Sequence, residues 1–388
     1  MTSRLSLANF LAKAEAALTA PAAQRKGPLT FVVGNESADL DSLCSALVYA
    51  YLRTHTPPHT LHIPLSNLPR DDLALRTEMS AVLKHAGLTL KDLLTLSELP
   101  DLEPEDTNWL LVDHNSLTGP LSKFSGQVLG CIDHHADENA VSKDANPRVV
   151  EPCGSCISLI VDETRHIWED IAAQQVEDSD AAVENEKLAK LSLGPILSDT
   201  TNLTAKEKVR EKDQKAVSFL EQRIRDASFS RKAYFAEISA VKEDISDLSF
   251  RDIFRKDYKE WDGEGLKLGI SCVVQDFDYL ISKAGSSDPL LRTFEDWAKE
   301  RRLDVASIMT TSHPEGEFQR HLLVWGVSDQ GREAVERFVG NGDRLKLEAW
   351  KGGELDDGGK TRFVWRQKEL AASRKQVAPL LREALKKS

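Results

Sequence analysis

The first half of the chain alternates short, wholly apolar runs with longer stretches of helical period. "LTFVVGN" (29–35), "LHIPLSN" (61–67), "NWLLVDHN" (108–115), "GQVLGCIDHH" (126–135) and "RVVEP" (148–152) read as strands. They are apolar throughout rather than alternating, the mark of parallel strands covered on both faces. Between them, "DSLCSALVYAYLRT" (41–54) and "LALRTEMSAVLKHAG" (73–87) read as helices, the second closed by Gly87. A long helix follows the fifth strand. "QQVEDSDAAVENEK" (174–187) is acidic and reads as a solvated loop, "LAKLSLGPILSDTTNLT" (188–204) resumes as helix, and "KEKVREKDQKAVSFLEQRI" (206–224) is a charged helix. At the start, "MTSRLSLANFLAKAEAALTA" is expected to be an amphipathic helix rather than a presequence, because Glu15 lies inside it and basic residues are few.

The second half has another texture. "GLKLGISCVVQDF" (265–277), "DVASIMTTS" (304–312) and "RHLLVWGVSD" (320–329) alternate like strands with one exposed face, and the chain closes on the basic helix "SRKQVAPLLREALKK" (373–387). The expectation is an α/β protein: a parallel sheet with helices on both faces over 1–225, and a smaller mixed-sheet α/β domain over 226–388, with the active site in the cleft between them. A chain of 388 residues is long for one core, which favours two domains.

The formal charge is -12, which disfavours nucleic acid and anionic membrane as whole-surface partners. An anionic substrate is compatible with it only where positive charge is concentrated, by bound cations or by a few Lys and Arg. No apolar run approaches the roughly 20 residues of a membrane helix. Five cysteines in apolar surroundings read as reduced thiols of a cytoplasmic protein. Cys153 and Cys156 form a C-x-x-C pair, but no second pair completes a zinc site.

The chemistry gathers where the apolar runs end. "VVGNESADLDSL" (32–43) puts Asp39 and Asp41 after the first strand. One acid there is an ordinary helix cap; two need a further reason. The third strand ends in Asp113 and His114, the fourth in Asp133, His134 and His135, and a later apolar helix carries Asp199. Ligands of an open parallel sheet bind beyond the carboxyl ends of its strands. A lone Asp is usually a cap and a lone His usually a surface or core residue. Four such segments delivered to one edge point instead to divalent cations held by carboxylates and imidazole.

"NESADLDS", "LLVDHN", "CIDHHAD" and "ILSDTTNLT" together resemble the four motifs of the DHH phosphoesterase superfamily, and "RKDYKEW" (255–261) with "SRKQVAP" resembles the DHHA2 domain of its second subfamily. That branch holds family II inorganic pyrophosphatases, fungal cytosolic exopolyphosphatases and the prune proteins. The resemblance implies two divalent cations, Mg²⁺ or Mn²⁺, held by Asp39, Asp41, Asp113, His134 and Asp199, with Asp113 shared between them. It implies catalytic roles for Asp113, His134, His135 and Asp133, the last as an orienter of the histidines. Substrate contacts would come from His135, Asn35, Lys259, Arg374 and Lys375. Asn35 stands where the pyrophosphatases carry histidine, and this favours an exopolyphosphatase acting on inorganic polyphosphate, as a monomer without nucleic-acid or membrane partners. Gly154 and Ser155 precede a helix, so their amides are candidates to hold an anion or an outer ligand.

Overall fold

The computed structural model describes residues 5–25, 27–173, 180–340 and 342–386. The chain divides into two units, Met1–Lys242 and Glu243–Ser388. The division falls one helix later than the expected boundary at 225/226. The helix responsible, Arg231–Glu243, buries Tyr234 and Ile238 in the core of the first unit.

The first unit runs α1 (Leu7–Thr19), β1 (Leu29–Val33), α2 (Leu40–Thr54), β2 (His62–Leu65), α3 (Thr77–His85), β3 (Thr107–Val112), β4 (Val128–Asp133), β5 (Arg148–Val150), α4 (Cys156–Glu163), α5 (Arg165–Ala173), α6 (Asp180–Thr200), α7 (Glu211–Glu221) and α8 (Arg231–Glu243). All five strands pair in parallel, in the order β2-β1-β3-β4-β5. Side chains alternate across the sheet. Val32, Leu110, Val112 and Ile132 enter one core with α2, α4 and α6, while Phe31, Val33, Trp109, Leu111 and Cys131 enter another beneath α1. Both faces are therefore dry, which explains the unbroken apolar runs. α2 is buried on nearly every side, as expected of a helix apolar all round. Its start lies so close to β1 that a Cβ on Gly34 would sit 2.6 Å from Ser42 Cβ.

The strand order reverses between β1 and β3, and such a switch point opens a crevice at the carboxyl edge. β1 leads there into Asp39 and Asp41, β3 into Asp113, and β4 into His134 and His135.

The stretch expected as a loop at 174–187 is helix from Asp180 onward, as the first turns of α6; residues 174–179 lie outside the described residues. The acidic composition concealed a structural contact: Glu184 is buried and accepts a hydrogen bond from the Leu7 backbone N–H at 2.8 Å.

The second unit comprises α9 (Phe250–Lys256), β6 (Tyr258–Gly263), β7 (Leu266–Val273), α10 (Phe277–Ala284), α11 (Ser287–Arg301), β8 (Val305–Ser312), β9 (Gln319–Gly326), α12 (Asp329–Gly340), β10 (Leu347–Ala349), β11 (Arg362–Gln367) and α13 (Arg374–Leu385). Its sheet, ordered β10-β11-β9-β8-β7-β6, is mixed: β7 and β8 are parallel and the other neighbours antiparallel. Phe254, Phe277, Phe294 and Trp297 fill one face, and Phe338, Val377 and Leu381 the other. No helix among the described residues is long and apolar enough to cross a membrane.

Candidate metal centre

Asp113 follows β3 with φ at +61°, a left-handed conformation uncommon for a residue with a side chain. Its surroundings hold it there. Its N–H donates to the Ile132 carbonyl at 3.0 Å and to Cys156 Sγ at 3.2 Å. Its Oδ2 accepts from Ser42 Oγ at 2.6 Å and Asn35 Nδ2 at 2.8 Å. Asn35, only 2% exposed, also donates to the Asp113 carbonyl and accepts from the Ser37 N–H. Its amide thus orients Asp113 from a buried position.

Among the described residues, Asp113, His134 and His135 each bring one ligand atom to within 4.8 Å of the others. The His134 tautomer follows from its partner. Nδ1 lies 3.0 Å from the Cys153 carbonyl, which can only accept, so Nδ1 carries the proton. Nε2 then points at Asp113 Oδ1, 3.0 Å away, and at Asp41 Oδ2, 3.8 Å away. A neutral ring would set two lone pairs face to face; a proton or a cation shared by both atoms removes that conflict. His135 is held the same way: its Nδ1 lies 2.7 Å and its backbone N–H 3.1 Å from Asp133 Oδ1. Asp133 is fully buried and its other oxygen accepts from Asn115 Nδ2 at 2.6 Å. Burial pushes the Asp133 carboxyl up, but the bond and charge of His135 outweigh it and leave the group below its ordinary range. Asp133 is thus held as a carboxylate against the Nδ1 and backbone N–H of His135, which fixes the orientation of that ring.

Asp41 and Asp39 have different surroundings. Asp41 is 3% exposed and accepts from the Cys156 N–H at 2.6 Å and the Ile157 N–H at 3.1 Å, the first amides of α4. Burial first, then the charges of Asp113 and Asp199, hold its carboxyl well above the usual range; Asp39 adds to this and His134 opposes it. A cluster of carboxylates that resist ionising together is one that a cation would relieve. Asp39 caps α2, its Oδ1 accepting from the Ser42 N–H at 3.0 Å, so the cap reading applies to one of the two acids. Asp39 and Asp199 bear on Asp41 electrostatically but stand outside the tight three-residue group. A donor set of carboxylates with imidazole beside them fits a divalent cation.

Both thiols of the C-x-x-C pair serve as hydrogen-bond donors and are not merely packing. Cys156 Sγ donates to the Ile132 carbonyl and Cys153 Sγ to Asp213 Oδ1, each at 3.2 Å. Burial and then the Asp213 charge push Cys153 up to about 12, so it is a thiol at neutral pH. The amides of Gly154 and Ser155 do hold an anion, but it is the chain's own Asp213 carboxylate, at 2.9 and 3.3 Å. Sequence reading passed over Asp213, Asn115 and Ser42. His114 turns Nδ1 to the Val112 carbonyl at 3.0 Å, and among the described residues no hydrogen-bond partner reaches its Nε2.

In the second unit, Lys259 lies on the edge strand β6. Arg374 and Lys375 begin α13 behind the cap Ser373. The anion found beside Arg374 is Asp257, whose Oδ1 is 2.8 Å from its Nη1.

A parallel sheet thus presents Asp and paired His at its switch point, and the chain continues into a mixed-sheet unit ending in a helix with a basic first turn. The chain belongs to the DHH family: the DHH family N-terminal domain matches residues 30–192 and the DHHA2 domain residues 236–384. A Schizosaccharomyces pombe protein provisionally named exopolyphosphatase is 32% identical over 99% of this chain and 96% of its own length. Human exopolyphosphatase PRUNE1 is 28% identical over 94% of this chain and 77% of its own. A manganese-dependent inorganic pyrophosphatase of Methanothrix thermoacetophila is 25% identical over 92% and 98%. The fold matches a crystal structure from Methanococcus jannaschii, provisionally a family II inorganic pyrophosphatase, with a TM-score of 0.61 at 20% identity over 92% of this chain and 99% of that one.

Proposed function

We propose that the protein is a cytoplasmic exopolyphosphatase that hydrolyses terminal phosphates from linear inorganic polyphosphate and releases orthophosphate. The observation that carries this reading is the 3.0 Å approach of His134 Nε2 to Asp113 Oδ1 at the switch point. It is supported by full-length similarity to a relative with an exopolyphosphatase name and by five free thiols.

Asp39, Asp41, Asp113, His134 and Asp199 are the residues that would hold two divalent cations, Mg²⁺ or Mn²⁺. Such cations neutralise phosphoryl charge and acidify water. The chain's own groups do the rest. The Cys153 carbonyl fixes His134 with its Nε2 lone pair outward. Asn35 and Ser42 fix the Asp113 carboxylate. Asp133 accepts the Nδ1–H of His135, which orients the ring so that Nε2, when protonated, would donate to a phosphate oxygen near the leaving group. Lys259, Arg374 and Lys375 bind the equatorial oxygens, whose charge grows in a phosphoryl transition state.

The test is phosphate release by the purified protein with Mg²⁺ or Mn²⁺ from long polyphosphate, tripolyphosphate, pyrophosphate and a dinucleotide RNA in parallel. Release from long polyphosphate, abolished in Asp113→Ala, is expected. Dominant pyrophosphate hydrolysis would transfer the assignment to the pyrophosphatase branch. Activity on the RNA alone would refute it.

A further inference from the structure

Asp213 stands third in α7, within a run of charged residues, yet it is fully buried. Five donors converge on its carboxylate. Oδ2 accepts from the Gly154 N–H at 2.9 Å and the Arg210 N–H at 2.7 Å; Oδ1 accepts from the Ser155 N–H at 3.3 Å, Ser158 Oγ at 2.7 Å and Cys153 Sγ at 3.2 Å. Four of the five donors belong to 153–158. That segment touches the candidate centre twice. The Cys153 carbonyl receives His134 Nδ1, and the Cys156 and Ile157 amides donate to Asp41.

We propose that Asp213 is a positioning residue of the metal centre, setting the His134 tautomer and the Asp41 carboxylate through residues 153–157, the turn into α4 and its first residues. The inference rests on the proposed metal site. The fit is tight: a Cβ on Gly154 would lie 2.6 Å from Asp213 Oδ2 and 2.7 Å from Thr200 Cγ2, so only glycine admits the carboxylate at this distance. A plain helix-capping role would need only the Arg210 N–H. The loop donors have no bearing on α7, and they are what tie Asp213 to both ligands. Losing an outer partner of a metal ligand weakens metal affinity about 10- to 100-fold.

The experiment is titration of the metal-free full-length protein with Mn²⁺ and Co²⁺, by calorimetry and by the visible spectrum of the Co²⁺ form. Wild type is compared with Asp213→Asn, Ser158→Ala and, as a core control, Leu191→Ala, which is buried in the same unit. Asp213→Asn keeps the volume but turns an amide NH₂ toward backbone N–H groups. It is expected to weaken metal binding about 10- to 100-fold and alter the Co²⁺ spectrum. Ser158→Ala, which removes one donor, shifts affinity in the same direction by a few-fold. Leu191→Ala lowers thermal stability and leaves affinity and spectrum alone. If Asp213→Asn fails to fold, the Ser158→Ala shift decides. Unchanged affinity and spectrum in the folded variants would overturn the proposal. Metal binding by wild type without polyphosphate hydrolysis would refute the proposed function and leave this inference standing.

Discussion

Asn35→Asp changes one terminal NH₂ of the side chain into an oxygen and leaves its shape intact. In the structure that nitrogen donates to Asp113 Oδ2 at 2.8 Å, while Oδ1 is pinned by the Ser37 N–H. The variant sets two carboxylate oxygens at that separation. At an effective dielectric of about 20, two unit charges 2.8 Å apart repel by about 6 kcal/mol. The pair can escape by binding a proton, at about 1.4 kcal/mol for each pH unit above the ordinary Asp value near 3.9. The ceiling on the penalty is thus about 5.6 kcal/mol at pH 8 and about 1.5 at pH 5. The lost hydrogen bond to a charged group, about 1.5–3 kcal/mol, is common to both. The sign follows from linkage: the pair's folded pKa is raised, so stability is present below about 4 and lost as pH rises through the folded value. Scanning calorimetry with chelator, on the transition that moves when divalent cation is restored, measures this. The gap between wild type and variant should narrow by about 4 kcal/mol from pH 8 to pH 5, roughly 8–16 °C for a unit of this size. A gap independent of pH would refute the assigned geometry of Asn35 and Asp113.

Other outcomes follow from the same contacts. Mn²⁺ at about 100 times its dissociation constant should stabilise the first unit by about 2.7 kcal/mol, and His134→Ala should abolish that gain in calorimetry. Asn35→His, which restores an imidazole, should raise the ratio of pyrophosphate to polyphosphate hydrolysis in a phosphate-release assay. Cys153, held protonated up to about 12, should resist alkylation at pH 8 until urea unfolds the first unit, as followed by mass spectrometry. Lys259→Ala should raise KM for long polyphosphate with little change in kcat, and the effect should shrink with added salt.

The parallel sheet was legible because strands buried on both faces leave unbroken apolar runs: β1, β2, β4 and β5 fall inside the stretches that the pattern singles out, and β3 begins one residue before its own. The strands β6, β10 and β11 were not: β6 and β10 are the two edges of their sheet, β10 only three residues long, and Arg362 and Arg366 interrupt the apolar run of β11. At the centre, acids and histidines after strands were visible as a group because the rule for open sheets names the place where ligands gather. Asp213 was invisible for the opposite reason. Its neighbours Glu211, Lys212 and Lys215 are solvated, and nothing in a one-dimensional charge pattern distinguishes the one carboxylate that turns inward. Asn35 and Ser42 were missed as orienters of Asp113 because their partner lies more than seventy residues away.

The candidate centre draws on Asp39 at one extreme and on Asp199 and the Asp213 loop clamp at the other. During synthesis these groups leave the ribosome in that order. The early strands and their acids emerge long before the residues that complete and brace the cluster. If the proposed centre is correct, a nascent chain would reach its full affinity for a cation only after α7 has cleared the exit tunnel. On the proposed site, tight metal loading would be a late event in the making of the first unit, and a chain truncated before α7 would carry Asp41, Asp113 and His134 but hold a cation more weakly.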